Sequence, residues 1–157
     1  MLGSEHDDSK PFADEGYAFM AAVFEVHREL GGGLSEEIYQ QSLEVELELR
    51  RIPFTSKTEL PVFYKGRVLE TRYIPDLLVC QQIVVELKAV RELIPEHEAQ
   101  LLNYMRITRR PVGYLVNLAS INRVQWKRFV LSEFLQPNDG GQVNSTQNPI
   151  SPIISVH

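Results

Sequence analysis

The chain has 157 residues, 43% of them hydrophobic, so it is sized for a single domain with one core. Its only cysteine, Cys80, excludes an internal disulfide and a cysteine-rich zinc or iron–sulfur site, and it favours a reducing, cytoplasmic location. The acidic N-terminus has no apolar run behind it, so the sequence predicts neither a secretory signal nor a membrane anchor.

The net charge of −5 is concentrated near the N-terminus. Residues 1–15 contain five acids and one lysine, a charge of −4, which leaves −1 for residues 16–157. Segment 101–132 contains six basic residues and no acid. If the fold gathers these bases on one surface, that surface could bind the phosphates of a nucleic acid. A solvated basic face that binds no partner is an equally good interpretation. These six bases are Arg106, Arg109, Arg110, Arg123, Lys127 and Arg128.

Polar composition predicts disorder for residues 1–12 and for the tail 137–157, which leaves one folded domain over residues 13–136. A first helix is predicted from about Asp14 to Leu30, where Gly31-Gly32-Gly33 would break it. Ser35 suits the N-cap of a second helix that ends before Pro53.

Strands are predicted next, in two hairpins. Leu60–Tyr64 and Val68–Ile74 flank the turn Lys65-Gly66-Arg67, and Leu77–Val79 precedes a strand beginning at Ile83. The three residues 80–82 form the second turn.

A helix follows from Pro95 to about Ile107, and then an apolar strand from Val112 to Val116. Arg123–Leu131 is ambiguous between a strand and a short helix, and we favour a strand. The order of elements predicts an α/β sandwich around a mixed sheet.

Two acids and a lysine are predicted to meet on the second hairpin. With a three-residue turn, Asp76 lies directly opposite Glu86, and strand alternation places Lys88 on the same face as Glu86. Two facing carboxylates repel each other, so the fold needs a compensating cation. A solvated pair of opposite charges is the usual interpretation of a lone Glu-x-Lys, but apolar neighbours indicate that this strand is central.

A divalent metal ion is the simplest such cation. Carboxylates without thiols or a histidine pair favour Mg²⁺ or Mn²⁺ over Zn²⁺. An ion of this kind activates water and stabilises charge on a phosphoryl oxygen, while an adjacent lysine orients the nucleophile or neutralises the phosphate. The pattern therefore predicts phosphodiester hydrolysis.

The chain resembles a known superfamily at these residues. Pro75-Asp76 and Glu86-Leu87-Lys88 resemble the signature of the PD-(D/E)xK nucleases, and Gly33-Leu34-Ser35-Glu36-Glu37-Ile38-Tyr39 resembles the motif of the GxxExxY proteins within them. The segment Pro95–Tyr104 is also similar to that family, and the resemblance covers about residues 17–130. It implies a restriction-endonuclease-like three-layer α/β/α core with a mixed sheet flanked by helices.

The resemblance also implies roles for single residues. Asp76 and Glu86 would bind metal, Glu36 would be the helical acid that completes the cluster, Lys88 the catalytic lysine, and Gln100 a supporting residue of the following helix. Glu36 has a simpler explanation, since an acid in the first turn of a helix is stabilising without any ligand.

Four other residues have ordinary interpretations. We interpret Tyr39 as structural because it shares an apolar helix face, and His27 and His97 as surface or capping residues, although His97 could border the site. A lone tryptophan such as Trp126 is more often a core residue than a surface on which a nucleic-acid base stacks.

Our leading hypothesis is a Mg²⁺- or Mn²⁺-dependent nuclease, with DNA favoured over RNA. A catalytically silent scaffold that binds nucleic acid or a protein, and a hydrolase of small phosphorylated molecules, are the alternatives. We expect no membrane partner, and the oligomeric state stays open, a homodimer included.

Overall fold

The computed structural model describes residues 10–135 and the backbone of residues 154–156. The predicted disordered segments, 1–12 and 137–157, lie mostly outside these residues and stay predictions. The predicted folded domain, 13–136, coincides with most of the described part.

Three helices form where the sequence predicts them: α1 is Ala13–Leu30, α2 is Glu36–Leu49 and α3 is Pro95–Thr108. Ser35 caps α2, because its side chain accepts a hydrogen bond from the Ile38 amide at 3.4 Å. His97 caps α3 in a similar way, since its Nδ1 accepts from the Ile94 amide at 3.2 Å.

Eight strands accompany these helices. They are β1 (Phe54–Ser56), β2 (Leu60–Tyr64), β3 (Arg67–Tyr73), β4 (Leu77–Val79), β5 (Ile83–Lys88), β6 (Val112–Asn117), β7 (Gln125–Leu131) and β8 (Ile154–Val156). The segment Arg123–Leu131, which the sequence left ambiguous between a strand and a short helix, contains β7, so the favoured prediction of a strand is confirmed. Two strands are not predicted from the sequence: β1, which has three residues and no repeating apolar pattern to reveal it, and β8, which lies in the tail predicted to be disordered.

The central sheet has the order β1-β4-β5-β6-β7-β8. Only the β5–β6 pair is parallel, and the other neighbours are antiparallel, so the sheet is mixed. The β2–β3 hairpin forms a separate two-stranded sheet.

Apolar side chains cover both faces of the central sheet. One core joins the sheet to α1 and α2 and contains Phe19, Leu43 and Leu87, all buried. A second core joins the opposite face to α3 and the β2–β3 hairpin through residues such as Leu101, Leu115 and Leu60. The three layers confirm the predicted α/β/α architecture, and they leave polar side chains of β5 facing the hairpin and α3.

The loop between α1 and α2 packs against the end of the sheet. Gly31 ends α1 with a left-handed φ of 72°. A Cβ on Gly32 would come within 2.7 Å of the Ala119 and Ser120 carbonyl oxygens, so only glycine fits there. The glycine run is thus a helix break, as predicted.

Tyr39 ties this loop to α2. Its side chain is buried, and its hydroxyl donates to the Gly31 carbonyl at 2.7 Å and accepts from the Leu34 amide at 3.1 Å. The interpretation of Tyr39 as a core residue with a tethered hydroxyl agrees with these contacts.

Tyr39→Phe should lower the free energy of unfolding by about 1–3 kcal/mol, because two polar groups of the loop lose their partner. Urea denaturation followed by circular dichroism measures the change. Tyr64→Phe, at a residue that is 62% exposed, is the control and should stay within about 0.5 kcal/mol of wild type. Equal stability of the Tyr39 variant would show that the tether contributes nothing.

Candidate active site

The register of the β4–β5 hairpin determines how the site is assembled. Leu77 pairs with Val85 and Val79 with Ile83, so Asp76 and Glu86 are the next residues beyond the paired ends. Cys80 and Gln81 in the turn have positive φ values of 50° and 65°, which suits a tight hairpin. The structure therefore brings Asp76 beside Glu86.

Asp76 is buried and firmly held. Its Oδ2 accepts a hydrogen bond from the Leu87 amide at 2.7 Å, and its Oδ1 accepts one from Lys57 Nζ at 2.7 Å. The Gln40 side chain donates to the Asp76 carbonyl oxygen at 2.9 Å. Both carboxylate oxygens and the main chain of Asp76 are thus fixed in place.

Glu86 carries an unfavourable negative charge. Burial, the charge of Asp76 and a hydrogen-bond interaction with its carboxyl raise the pKa of Glu86 to about 7, although a hydrogen bond from Tyr73 and the charge of Lys88 act in the opposite direction. Near neutral pH, Glu86 is therefore protonated in a large fraction of the molecules when no further cation is present.

Tyr73 connects the β2–β3 hairpin to this acid. Its hydroxyl donates to Glu86 Oε1, and its ring stacks on that of Tyr104 in α3 with centroids 3.9 Å apart. Burial and the adjacent negative charge of Glu86 raise the pKa of the Tyr73 phenol, which keeps it a hydrogen-bond donor.

An open cleft of about 630 Å³ lies above these groups. It brings together three of the predicted site residues, Glu86, Lys88 and Gln100. Side chains of the β2–β3 hairpin, the residue after it, β5 and α3 line its walls, among them Val62, Leu69, Thr71, Arg72, Tyr73, Ile74, Tyr104 and Ile107. Of the acid pair, Glu86 lines this cleft, and Asp76 is its neighbour across the hairpin.

Glu36 lies apart from the acid pair. It is exposed in the first turn of α2, where it acts on Lys57 rather than on Asp76 or Glu86 directly. Partial burial lowers the pKa of Lys57, but the hydrogen bond and charge of Asp76, followed by the charges of Glu37 and Glu36, raise it above its ordinary value. Lys57 is therefore hydrogen-bonded to Asp76, and the charges of Glu36 and Glu37 act on it as well.

The donor set at Asp76 and Glu86 suits a hard divalent cation. Among the described residues, no three His, Cys, Asp or Glu side chains are grouped as a metal site. Mg²⁺, however, is commonly held by one or two carboxylates together with water and substrate phosphates. Asp76 and Glu86 are neighbours across the hairpin and supply carboxylate oxygens, so the two acids fit such an ion.

The six bases of the segment 101–132 do not form one surface. Arg128 is buried and donates to the Tyr114 hydroxyl at 3.0 Å, and the Arg109 guanidinium covers the Phe63 ring at 4.4 Å. Arg110 donates to the Gln81 carbonyl near the β4–β5 turn. The bases are therefore distributed over both ends of the sheet.

A second open cleft, of about 660 Å³, lies beside the start of β7. Trp126 lines it and is 41% exposed, so it is not a fully buried core residue. Arg123 and Lys127 share the cleft with Glu92 and Glu98, and Lys127 pairs with Glu98. The mixed charges leave this cleft without a clear preference for an anionic ligand.

Sequence reasoning missed two residues of the site, Lys57 and Tyr73. Lys57 follows the unpredicted strand β1, and Tyr73 lies in a predicted strand without any pattern that points to Glu86.

Within the described part of the chain, none of the helices is both long and apolar enough to cross a membrane.

Comparisons with known proteins identify the family of this chain. A solved structure titled "Crystal structure of SSO0001" matches 59% of this chain and 48% of its own length, at 21% identity and a TM-score of 0.47. The search of curated proteins gave no match. The family model described as "PD-(D/E)XK nuclease superfamily" matches residues 13–129, well over half of the sequence. The chain therefore belongs to the PD-(D/E)XK nuclease superfamily.

Proposed function

We propose that this protein is a divalent-metal-dependent nuclease that hydrolyses phosphodiester bonds in nucleic acid, DNA in preference to RNA. One observation carries the proposal: Asp76 and Glu86 are neighbours across the β4–β5 hairpin, and Glu86 lines a cleft together with Lys88 of the same strand, whose other residues are buried. Membership of the superfamily supports the class of reaction.

Asp76 and Glu86 would hold the metal, Mg²⁺ or Mn²⁺, with Glu36 as a third candidate acid. Nucleases of this superfamily generally use divalent ions. When bound, such an ion lowers the pKa of a coordinated water and offsets charge that develops on a phosphoryl oxygen. A cation bound by both acids would offset the Asp76 charge, which together with burial raises the pKa of Glu86.

Other residues of the cleft complete the proposed machinery. Lys88 lies two residues after Glu86 on the same face of β5, so its ammonium would contact the phosphate or orient the attacking water. Gln100 would contact the substrate from α3 on the other wall. Tyr73 holds Glu86 in position through its hydroxyl.

We also propose that the chain is a GxxExxY protein and that it works in the cytoplasm. The motif has a structural explanation here, since Gly33 has a φ of 87° and Tyr39 anchors the loop before α2. The single cysteine, Cys80, supports the location because it implies no dependence on an oxidising compartment.

A cleavage assay tests the proposal. Purified protein with Mn²⁺ should cleave at least one substrate of a panel of single-stranded, double-stranded and branched DNA and RNA. Lys88→Ala should reduce the rate about 10²–10³-fold, the usual effect of removing one group that stabilises transition-state charge. Lys65→Ala, in the β2–β3 turn, is the charge-matched control and should cleave at the wild-type rate.

Three results would contradict the proposal. Cleavage by Lys88→Ala at the wild-type rate would exclude the assigned site. Salt-sensitive binding without cleavage would favour a non-enzymatic scaffold. Hydrolysis of a small phosphodiester but of no polymer would instead indicate a different substrate class.

A further inference from the structure

Lys57 occupies one of the two carboxylate oxygens that Asp76 would offer to a metal. Its Nζ lies 2.7 Å from Asp76 Oδ1, while the Leu87 amide takes Oδ2 at 2.7 Å. An ammonium at this distance neutralises much of the charge of Asp76. The Lys57 ammonium would repel a divalent ion bound to the same carboxylate, because the ammonium and the ion are both positively charged.

The main chain helps to hold Lys57 at this point. The residue follows β1 with a left-handed φ of 52°, and its amide donates to the Asp76 carbonyl oxygen at 3.4 Å. The short strand β1 pairs with β4, directly before which Asp76 lies. The approach of Lys57 to Asp76 is therefore built into the fold of the sheet edge.

The two partners differ in their access to water. The Lys57 side chain is 53% exposed, whereas that of Asp76 is 11% exposed. The ammonium can therefore leave the carboxylate for solvent, whereas Asp76 is held by the Leu87 amide and cannot move away.

We propose that Lys57 is an internal counter-cation, which neutralises Asp76 in the metal-free protein and moves into solvent when a divalent ion binds. The inference rests on the proposed metal-dependent function. Lys57 thus sets the metal affinity of the site by competing for Asp76.

Calorimetric titration with Mn²⁺ at pH 8 tests the inference. Lys57→Met keeps the length of the side chain but removes its charge, so it should bind Mn²⁺ at least tenfold more tightly than wild type. Lys57→Arg retains the charge and should stay within threefold of wild type. Lys65→Met removes one exposed lysine charge elsewhere and should change the affinity less than twofold.

A second measurement uses the wild-type protein alone. Magnetic resonance of ¹³C-labelled lysine side chains should show the Lys57 signal moving as Mg²⁺ is added, while the Lys65 signal stays in place. This readout does not depend on the folding of any variant. An immobile Lys57 signal under saturating Mg²⁺ would overturn the proposed exchange.

The outcomes separate the inference from the proposed function. If wild type binds Mn²⁺ and Lys57→Met binds it no more tightly, the role of Lys57 is refuted and the metal site stands. If Lys57→Met binds Mn²⁺ and wild type does not, the competition is supported and the wild-type metal site is refuted. If neither protein binds the ion, both proposals fail.

Discussion

Asp76→Asn should abolish tight Mn²⁺ binding and lower the cleavage rate about 10³-fold, roughly 4 kcal/mol in activation free energy. Asparagine has nearly the same shape as aspartate, and its carbonyl oxygen can still accept from the Leu87 amide. The substitution removes only the negative charge of residue 76, which lies beside Glu86. Calorimetry measures the loss of binding, and initial rates at saturating Mn²⁺ measure the loss of activity.

Glu133→Gln is the matched control for this substitution. Glu133 is exposed and follows β7 at the end of the sheet opposite Lys88, so its variant should bind Mn²⁺ and cleave like wild type. Thermal unfolding of both variants verifies that each is folded. A folded Asp76→Asn protein with wild-type affinity for Mn²⁺ would contradict the assignment of Asp76 as a ligand.

Glu86 should make the metal-free protein less stable at high pH. Its pKa in the folded state is about 7, whereas 4.5 is its ordinary value, so the folded state binds more protons between these two pH values. The free energy of unfolding should therefore fall as pH rises from 4.5 to 7, by about 3 kcal/mol, and the loss persists above pH 7. Urea denaturation at pH 5 and pH 8, with a chelator present, measures this difference.

Glu86→Gln removes the ionisable group but keeps an oxygen that accepts from Tyr73. The stability difference between pH 5 and pH 8 should shrink by about 3 kcal/mol in this variant. Glu133→Gln, which removes an exposed acid, should retain the wild-type difference. An unchanged pH dependence in Glu86→Gln would show that burial does not penalise the Glu86 charge.

Much of the acid pair could be predicted because its geometry is local. Strand alternation and a three-residue turn are enough to place Asp76 opposite Glu86 and Lys88 on the face of Glu86, and the observed register agrees with both. The helices were equally predictable, because capping residues and glycines mark their ends in the sequence. Gln100 was placed by resemblance to a family, and the structure locates it on the same cleft.

The remaining features depend on contacts between distant segments. Lys57 reaches Asp76 only because β1 pairs with β4, and a three-residue strand leaves no periodic signal. The hydrogen bond from Tyr73 to Glu86 requires the hairpin to pack on α3, which no local pattern encodes. The arginines at the end of α3 are separated from Lys127 because β6 runs the length of the sheet between them.

The separate pairing of the β2–β3 hairpin has a consequence for access to the cleft. The hairpin forms one wall of the cleft, yet it shares no strand pairing with the central sheet. Widening the cleft would thus sacrifice side-chain contacts, namely the apolar packing of residues such as Leu60, the Tyr73 hydrogen bond and its stacking on Tyr104, while the hydrogen-bonded ladder around the acids stays whole. A bulky polymer could then be admitted without loosening the strands that hold Asp76 and Glu86.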